Sequence, residues 1–128
     1  MNRERALKIA LVLVGLLFLA GAYPLTTSLW HGDASVSEGD KMMLSLYVTL
    51  GVFVLLAARK PSANRSLIAF TAWSSFAHAV VMTALGFQIA SERRDFLFGS
   101  AVLAVIGVAL IALAPAKPPV EQTSVAAA

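Results

Sequence analysis

The sequence predicts an all-α fold, a four-helix transmembrane bundle with antiparallel neighbours, and three observations carry that prediction. Four uncharged runs, Ile9–Gly32, Met42–Ala58, Ser66–Ser91 and Phe96–Ala116, contain 24, 17, 26 and 21 residues. About 20 predominantly apolar residues cross a hydrocarbon core as a helix. All 17 charged side chains fall between or beyond those runs. Hydrophobic residues make up 59% of the chain and charged ones 13%, where a water-soluble domain carries roughly a quarter charged. The expected organisation is one domain over 1–116, with spans at about 8–30, 41–58, 63–91 and 95–115, and a disordered tail over 117–128.

Charge placement gives an orientation. Arg3, Arg5, Lys8, Arg59, Lys60, Arg65 and Lys117 lie on one side of the spans, Lys41, Arg93 and Arg94 on the other. Cytoplasmic segments retain Lys and Arg, so both termini are expected in the cytoplasm. The Arg93-Arg94 pair runs against that pattern. The net charge of +3 follows from basic groups abutting spans, so the expected partner is the lipid bilayer and not nucleic acid. With no cysteine in the chain, disulfide and thiol chemistry are excluded.

The first span opens like a secretory signal: a basic start, an apolar core over Ile9–Leu19, and Ala20-Gly21-Ala22 as an A-x-A-like site. Apolarity continues to Trp30, which suits a retained helix with an interfacial anchor. Pro24 removes a backbone donor and leaves the Ala20 carbonyl without its helical partner, so a kink is expected near Gly21–Pro24. Tyr23, Thr26, Thr27 and Ser28 stand ready to satisfy freed backbone groups. The loop His31–Asp40 is the longest and most acidic. His31, Asp33, Glu38 and Asp40 match no established ligand spacing, and no metal is expected there.

Asp40 or Ser37 is expected to cap the second helix, Ser62 the third and Asp95 the fourth. Tyr47 lies about 9 Å below Lys41 at 1.5 Å per residue. Tyr23 reaches a similar depth counted back from Trp30, so the two phenols are candidates to meet. Pro115, Pro118 and Pro119 end the last span. The short links Arg59–Ser62 and Glu92–Asp95 make the second and third, and the third and fourth, helices antiparallel neighbours.

The third run carries the one titratable group inside a span. His78 lies 13 residues from both Arg65 and Ser91, which places it near the midplane, where hydrocarbon disfavours a charged imidazole. On a wheel at about 100° per residue, Leu67, Thr71, Ser74, Ser75, Met82 and Leu85 share its face. Trp73, Phe76, Val80, Thr83 and Phe87 lie on the far side. The His78 face is expected to look into protein and the aromatic face into lipid. His78, Ser74, Ser75, Thr71, Tyr47 and Tyr23 therefore form the candidate polar cluster, as a ligand site or as interhelical hydrogen bonds. Gly51 and Gly107, near the same depth, either let helices approach or leave room for a ligand, and Ser100-xxx-Ala104 favours packing.

The block Met42–Met82, with Tyr47-Val48-Thr49-Leu50-Gly51 and Ala69–Ala79 as its most specific pieces, resembles a family of short bacterial four-span membrane proteins known as a domain of unknown function. The resemblance extends over about Arg3–Pro115. It implies a bacterial membrane location and a four-helix fold, with no chemistry to carry over, and the expected localisation is the bacterial inner membrane. A looser likeness to DoxX-type four-helix membrane proteins rests on size and span count.

Spans without Asp, Glu, Lys or Arg argue against proton relays and ion-coupled transport. A Ser–His hydrolase lacks its orienting acid within the membrane. A b-type haem needs axial ligands from two sides, which one histidine supplies only in a symmetric dimer. No catalytic group and no cofactor is assigned. Two readings remain. The chain is an interaction or structural subunit, associating with itself or a larger membrane complex, or it binds a small apolar ligand, a quinone or lipid, near His78. A cavity opening between helices and touching His78 separates them.

Overall fold

A computed structural model describes residues 2–115. The expectation of a disordered tail over 117–128 lies outside the described residues, as do Pro118 and Pro119. Five α-helices make four spans: α1 (Arg3–Leu19) and α2 (Ala22–His31), then α3 (Glu38–Ala57), α4 (Arg65–Gln88) and α5 (Arg93–Leu113). Short 3₁₀ turns, Pro61–Asn64 and Ala90–Glu92, introduce α4 and α5. Four stretches, Arg3–His31, Glu38–Ala57, Pro61–Gln88 and Ala90–Leu113, are long and apolar enough to cross a membrane.

The helix boundaries follow from backbone hydrogen bonding. Pro24 carries no N–H, so the Ala20 carbonyl takes the Tyr23 amide instead at 3.3 Å, and the chain turns at Ala20-Gly21 before Leu25 N resumes the ladder to Gly21 O. Thr26, Thr27 and Ser28 donate to the carbonyls of Ala22, Tyr23 and Leu25 within α2, so the freed Ala20 carbonyl is satisfied by backbone and not by them. Gly32 ends α2 at φ +61°, a left-handed conformation that a side chain would strain. In the following loop, hydrogen bonds from the Ser35 side chain and then its amide hold the Asp33 carboxyl below its ordinary value.

Ser37 caps α3. Its Oγ accepts from the Asp40 amide at 3.1 Å and donates to the Asp40 carboxylate at 2.6 Å, so the helix starts at Glu38, earlier than Lys41. The other two expected caps are corrected. Ser62 lies inside the 3₁₀ turn and α4 begins at Arg65 with no side-chain cap. Asp95 sits inside the first turn of α5, which likewise has none. In both cases the 3₁₀ turn leads directly into the helix, with Ala63 N bonded to Lys60 O and Glu92 N to Ile89 O in the turn ahead of it.

The helices pack as two pairs. Contacts are most extensive between α4 and α5, then between α1 and α3, while α3–α4 and α1–α5 touch more sparingly. In the first pair Gly15 and Gly51 bring backbones together: a Cβ on Gly51 would stand 2.9 Å from Gly15 O and 3.0 Å from Leu19 N. Close approach of this kind favours helix association in lipid. In the second pair the Phe76 ring fills the space over Gly107, where a Cβ would meet Cε1 at 2.7 Å. The Thr83 and Ser100 hydroxyls lie 2.6 Å apart, one donating to the other, and the second donates to Ala79 O, which stands 2.8 Å from Thr83 Oγ1 and 2.9 Å from Ser100 Oγ. Neither Gly51 nor Gly107 leaves room for a ligand.

This overturns part of the helical-wheel expectation. Phe76 and Thr83 face α5, not lipid. The buried stripe of α4 is Ile68, Thr71, Ala72, Ser75, Ala79 and Gly86, displaced around the helix from the His78 direction. Trp73, Val80 and Phe87 are exposed as expected. The core joining both pairs is apolar, with Leu7, Leu11 and Phe18 from α1 meeting Val54, Ile68 and Leu110.

Arginines close the helix ends. Arg3 Nη2 donates to Ala112 O at 3.0 Å and Arg65 Nε to Pro115 O at 3.2 Å. At the opposite end Arg93 Nε donates to Gly86 O at 2.9 Å. The Arg3 and Arg93 bonds satisfy carbonyls that a helix end leaves without an amide, Arg65 reaches the Pro115 carbonyl just beyond α5, and all three place positive charge at the negative end of a helix dipole.

Candidate functional site

Loose packing between α3 and α4 leaves a seam, and the polar cluster sits in it. Tyr47 of α3 and His78 of α4 meet there, with the phenol oxygen 2.5 Å from His78 Nδ1. Phe18 of α1 sets its ring edge-on to Tyr47, centroids 4.9 Å apart at 75°. Tyr47 is thereby held between an aromatic contact on its own helix pair and a hydrogen bond to the other.

The contact admits two tautomers: the phenol donates to Nδ1, or an Nδ1–H donates to the phenol oxygen. In the first a neutral imidazole carries its proton on Nε2; in the second Nε2 is an acceptor and the phenol hydrogen is free. Among the described residues, His78 makes no hydrogen bond besides that to Tyr47, so Nε2 has no protein partner in either tautomer. No buried side-chain nitrogen or oxygen of the described residues lacks a partner, so Nε2 is not sealed in the core.

Two cavities meet at this pair. One, of about 400 Å³, runs along the α3–α4 seam and is lined by Tyr47, His78 and Ser74 among apolar groups such as Leu50, Phe53 and Phe70. It opens sideways, since Phe53 and Phe70 are exposed on the outer surface of the bundle. The other, of about 860 Å³, lies between the two helix pairs and reaches the end bearing Ser35, Ser37 and Asp40. Tyr47, His78 and Met43 border both. Among the described residues, no Asp, Glu, Lys or Arg lines the seam cavity.

The structure sorts the six expected cluster residues. Tyr47 and His78 come together, and Ser74 lines the seam beside them. Thr71 and Ser75 are buried, but their hydroxyls donate to Leu67 O and Thr71 O of their own helix at 2.8 and 2.7 Å. Ser74 Oγ also donates to Thr71 O, so no serine reaches the imidazole. Tyr23 is 77% exposed and borders neither cavity. A similar count along the span did not imply the same direction: the chain turns at Ala20-Gly21 between Phe18 of α1 and Tyr23 of α2. Phe18, not Tyr23, is the α1 partner of Tyr47.

Sequence reasoning missed the Thr83–Ser100 link and the lining role of Met43. A wheel centred on the small residues Ala72, Ser75, Ala79 and Gly86 would have found the α5-facing stripe and put Thr83 at its margin. Met43 gives no signal that distinguishes it from any apolar residue in the span.

Residues 2–124 match the sequence model of a family of unknown function, DUF6632. The chain belongs to that family. No curated protein and no solved structure matches it. Membership of DUF6632 agrees with the resemblance read from Tyr47–Gly51 and Ala69–Ala79, and those two segments supply the Tyr47–His78 pair.

Proposed function

We propose that this DUF6632 protein binds a small apolar ligand, a quinone or a lipid, in the intramembrane seam between α3 and α4. The observation that carries the reading is the seam cavity itself. Its volume of about 400 Å³ falls in the range of small-molecule sites, which are apolar with a few convergent polar groups. It touches His78, it opens between helices, and the Tyr47–His78 pair on its wall keeps one N–H or O–H hydrogen that no described residue accepts. A bundle built only for cohesion has no reason to keep a donor without an acceptor in hydrocarbon, where unsatisfied polar groups cost several kcal/mol.

The setting is the inner membrane of a bacterium, with both termini in the cytoplasm. Seven basic residues against three support that orientation. Arg93, one of the three, is occupied with the carbonyl of Gly86, which accounts for a basic residue on the outer side. Reporter fusions after Pro61 and within Ala34–Val36 should report opposite compartments, and the same compartment would contradict the arrangement.

Replacing Ser74 by Phe tests the ligand reading. Its hydroxyl serves only its own helix, so the exchange fills the seam while leaving the core intact. Protein purified from native membranes should yield a small apolar molecule on extraction from wild type and not from Ser74→Phe. Identical extracts, with both proteins folded, would favour a purely structural subunit.

A further inference from the structure

The seam distinguishes among apolar ligands by the polar end it can accept. The Tyr47 hydroxyl and His78 Nδ1 share one hydrogen bond, and the Ser74 hydroxyl hydrogen is taken by Thr71 O. Thr49, the remaining hydroxyl on the lining, donates to Ser45 O at 3.0 Å. What the pair still offers is one donor hydrogen, on Nε2 of His78 when the phenol donates to Nδ1. Among the described residues no formally charged side chain borders the seam, so it offers no cation for a phosphate and no carboxylate for an amine. An anionic head placed there would be desolvated without a counter-charge, which is prohibitive in a low-dielectric site.

We infer that Tyr47 donates to Nδ1 of His78, and that the ligand is a neutral molecule whose polar end is a carbonyl oxygen, accepting a hydrogen bond from His78 Nε2 while its apolar part lies along Leu50, Phe53 and Phe70. This rests on the binding reading above. Two sources share that chemistry: a quinone ring and the ester carbonyl of a neutral acylglycerol. Tyr47 acts as a positioning residue, since its phenol holds the proton on Nε2 and fixes the ring plane across the seam. Without that bond the imidazole is free to present Nδ1–H and an acceptor Nε2, which repels a carbonyl.

The test uses the full chain in lipid nanodiscs with three probes: a benzoquinone carrying one isoprenyl unit, dioctanoylglycerol, and isoprenylbenzene, which has the same tail and no carbonyl. Nitrogen-15 labelling of histidine reports both ring nitrogens of His78 directly. One or both carbonyl probes should bind and shift the Nε2 resonance, and the stronger of the two identifies the source. Isoprenylbenzene should leave Nε2 unmoved.

His78→Leu should weaken the carbonyl probe about tenfold and isoprenylbenzene little, the loss expected for one hydrogen bond in a dry site. His78→Gln, which keeps a side-chain N–H, should recover part of the loss. Equal binding of the carbonyl probes to wild type and His78→Leu, with Nε2 unmoved, would overturn the carbonyl assignment and leave the seam reading standing. Failure of both carbonyl probes to bind wild type overturns the assignment as well. The seam reading itself falls only if native extracts from wild type and Ser74→Phe are also the same. The spectroscopic arm needs no variant, so a misfolded substitution does not protect the inference.

Discussion

At the scale of the residue, the molecule turns on one polar pair held across a gap. The Tyr47–His78 bond at 2.5 Å is the hydrogen bond that ties the α1–α3 pair to α4 near mid-membrane. Interhelical hydrogen bonds in bilayers contribute about 0.6 kcal/mol on average and up to about 1.7. Tyr47→Phe and His78→Leu should each destabilise the fold by about 1 kcal/mol, and the double variant by less than the sum, because both remove the same bond. Additive losses in steric-trapping or thermal measurements would contradict the pairing. His78 was legible in the sequence because a titratable group alone in an uncharged run of 26 residues has few roles. Tyr47 was legible by depth. Tyr23 shows where that reasoning stops, since residue counting fixes height in the membrane but not direction around the helix. The hydroxyls of Thr71, Ser74 and Ser75 were legible as inward but not as self-satisfied, because a serine or threonine in a helix always has its own i−4 carbonyl within reach.

At the scale of the element, small residues and caps decide where helices begin and how closely they pass. Gly51→Leu should separate α1 from α3, because a Cβ there already stands 2.9 Å from Gly15 O. Overpacking of this kind costs about 1–3 kcal/mol, and an unchanged melting temperature would refute the close approach. Ser37→Ala should cost about 1 kcal/mol as the loss of an N-cap. Span number and approximate limits were readable from charge exclusion alone, since hydrocarbon rejects ionised groups whatever the packing. Pro24 announced the α1–α2 break for an equally local reason. The caps at Ser62 and Asp95 were not readable, because a 3₁₀ turn and an N-cap box start from the same residue types. Nor was the face of α4 that meets α5. In water the apolar face of a helix is the buried one, but in lipid both faces are apolar, and packing follows small residues instead. α1 supplies Leu7, Leu11, Val14 and Phe18 to the core, so removal of a signal segment at Ala22 would dismantle it. Intact mass spectrometry should find the chain with residues 2–22 retained, and a species starting at Tyr23 would contradict the four-span bundle.

At the scale of the whole molecule, two close helix pairs meet along a looser seam, and that asymmetry is what makes a site possible. The α4–α5 pair is secured by Phe76 over Gly107 and by Thr83 and Ser100, the α1–α3 pair by Gly15 and Gly51. Between α3 and α4 the Tyr47–His78 bond bridges a space that side chains do not fill. No pattern in the chain revealed this, because a seam is a deficit of contact between two helices that each look apolar. The central claim is that a small neutral molecule occupies that space. Native mass spectrometry of the protein released directly from its membrane tests it most directly. The account predicts the chain carrying one small neutral molecule, with the added mass absent from Ser74→Phe. A wild-type chain released without any added mass, or with the same added mass as Ser74→Phe, would contradict it.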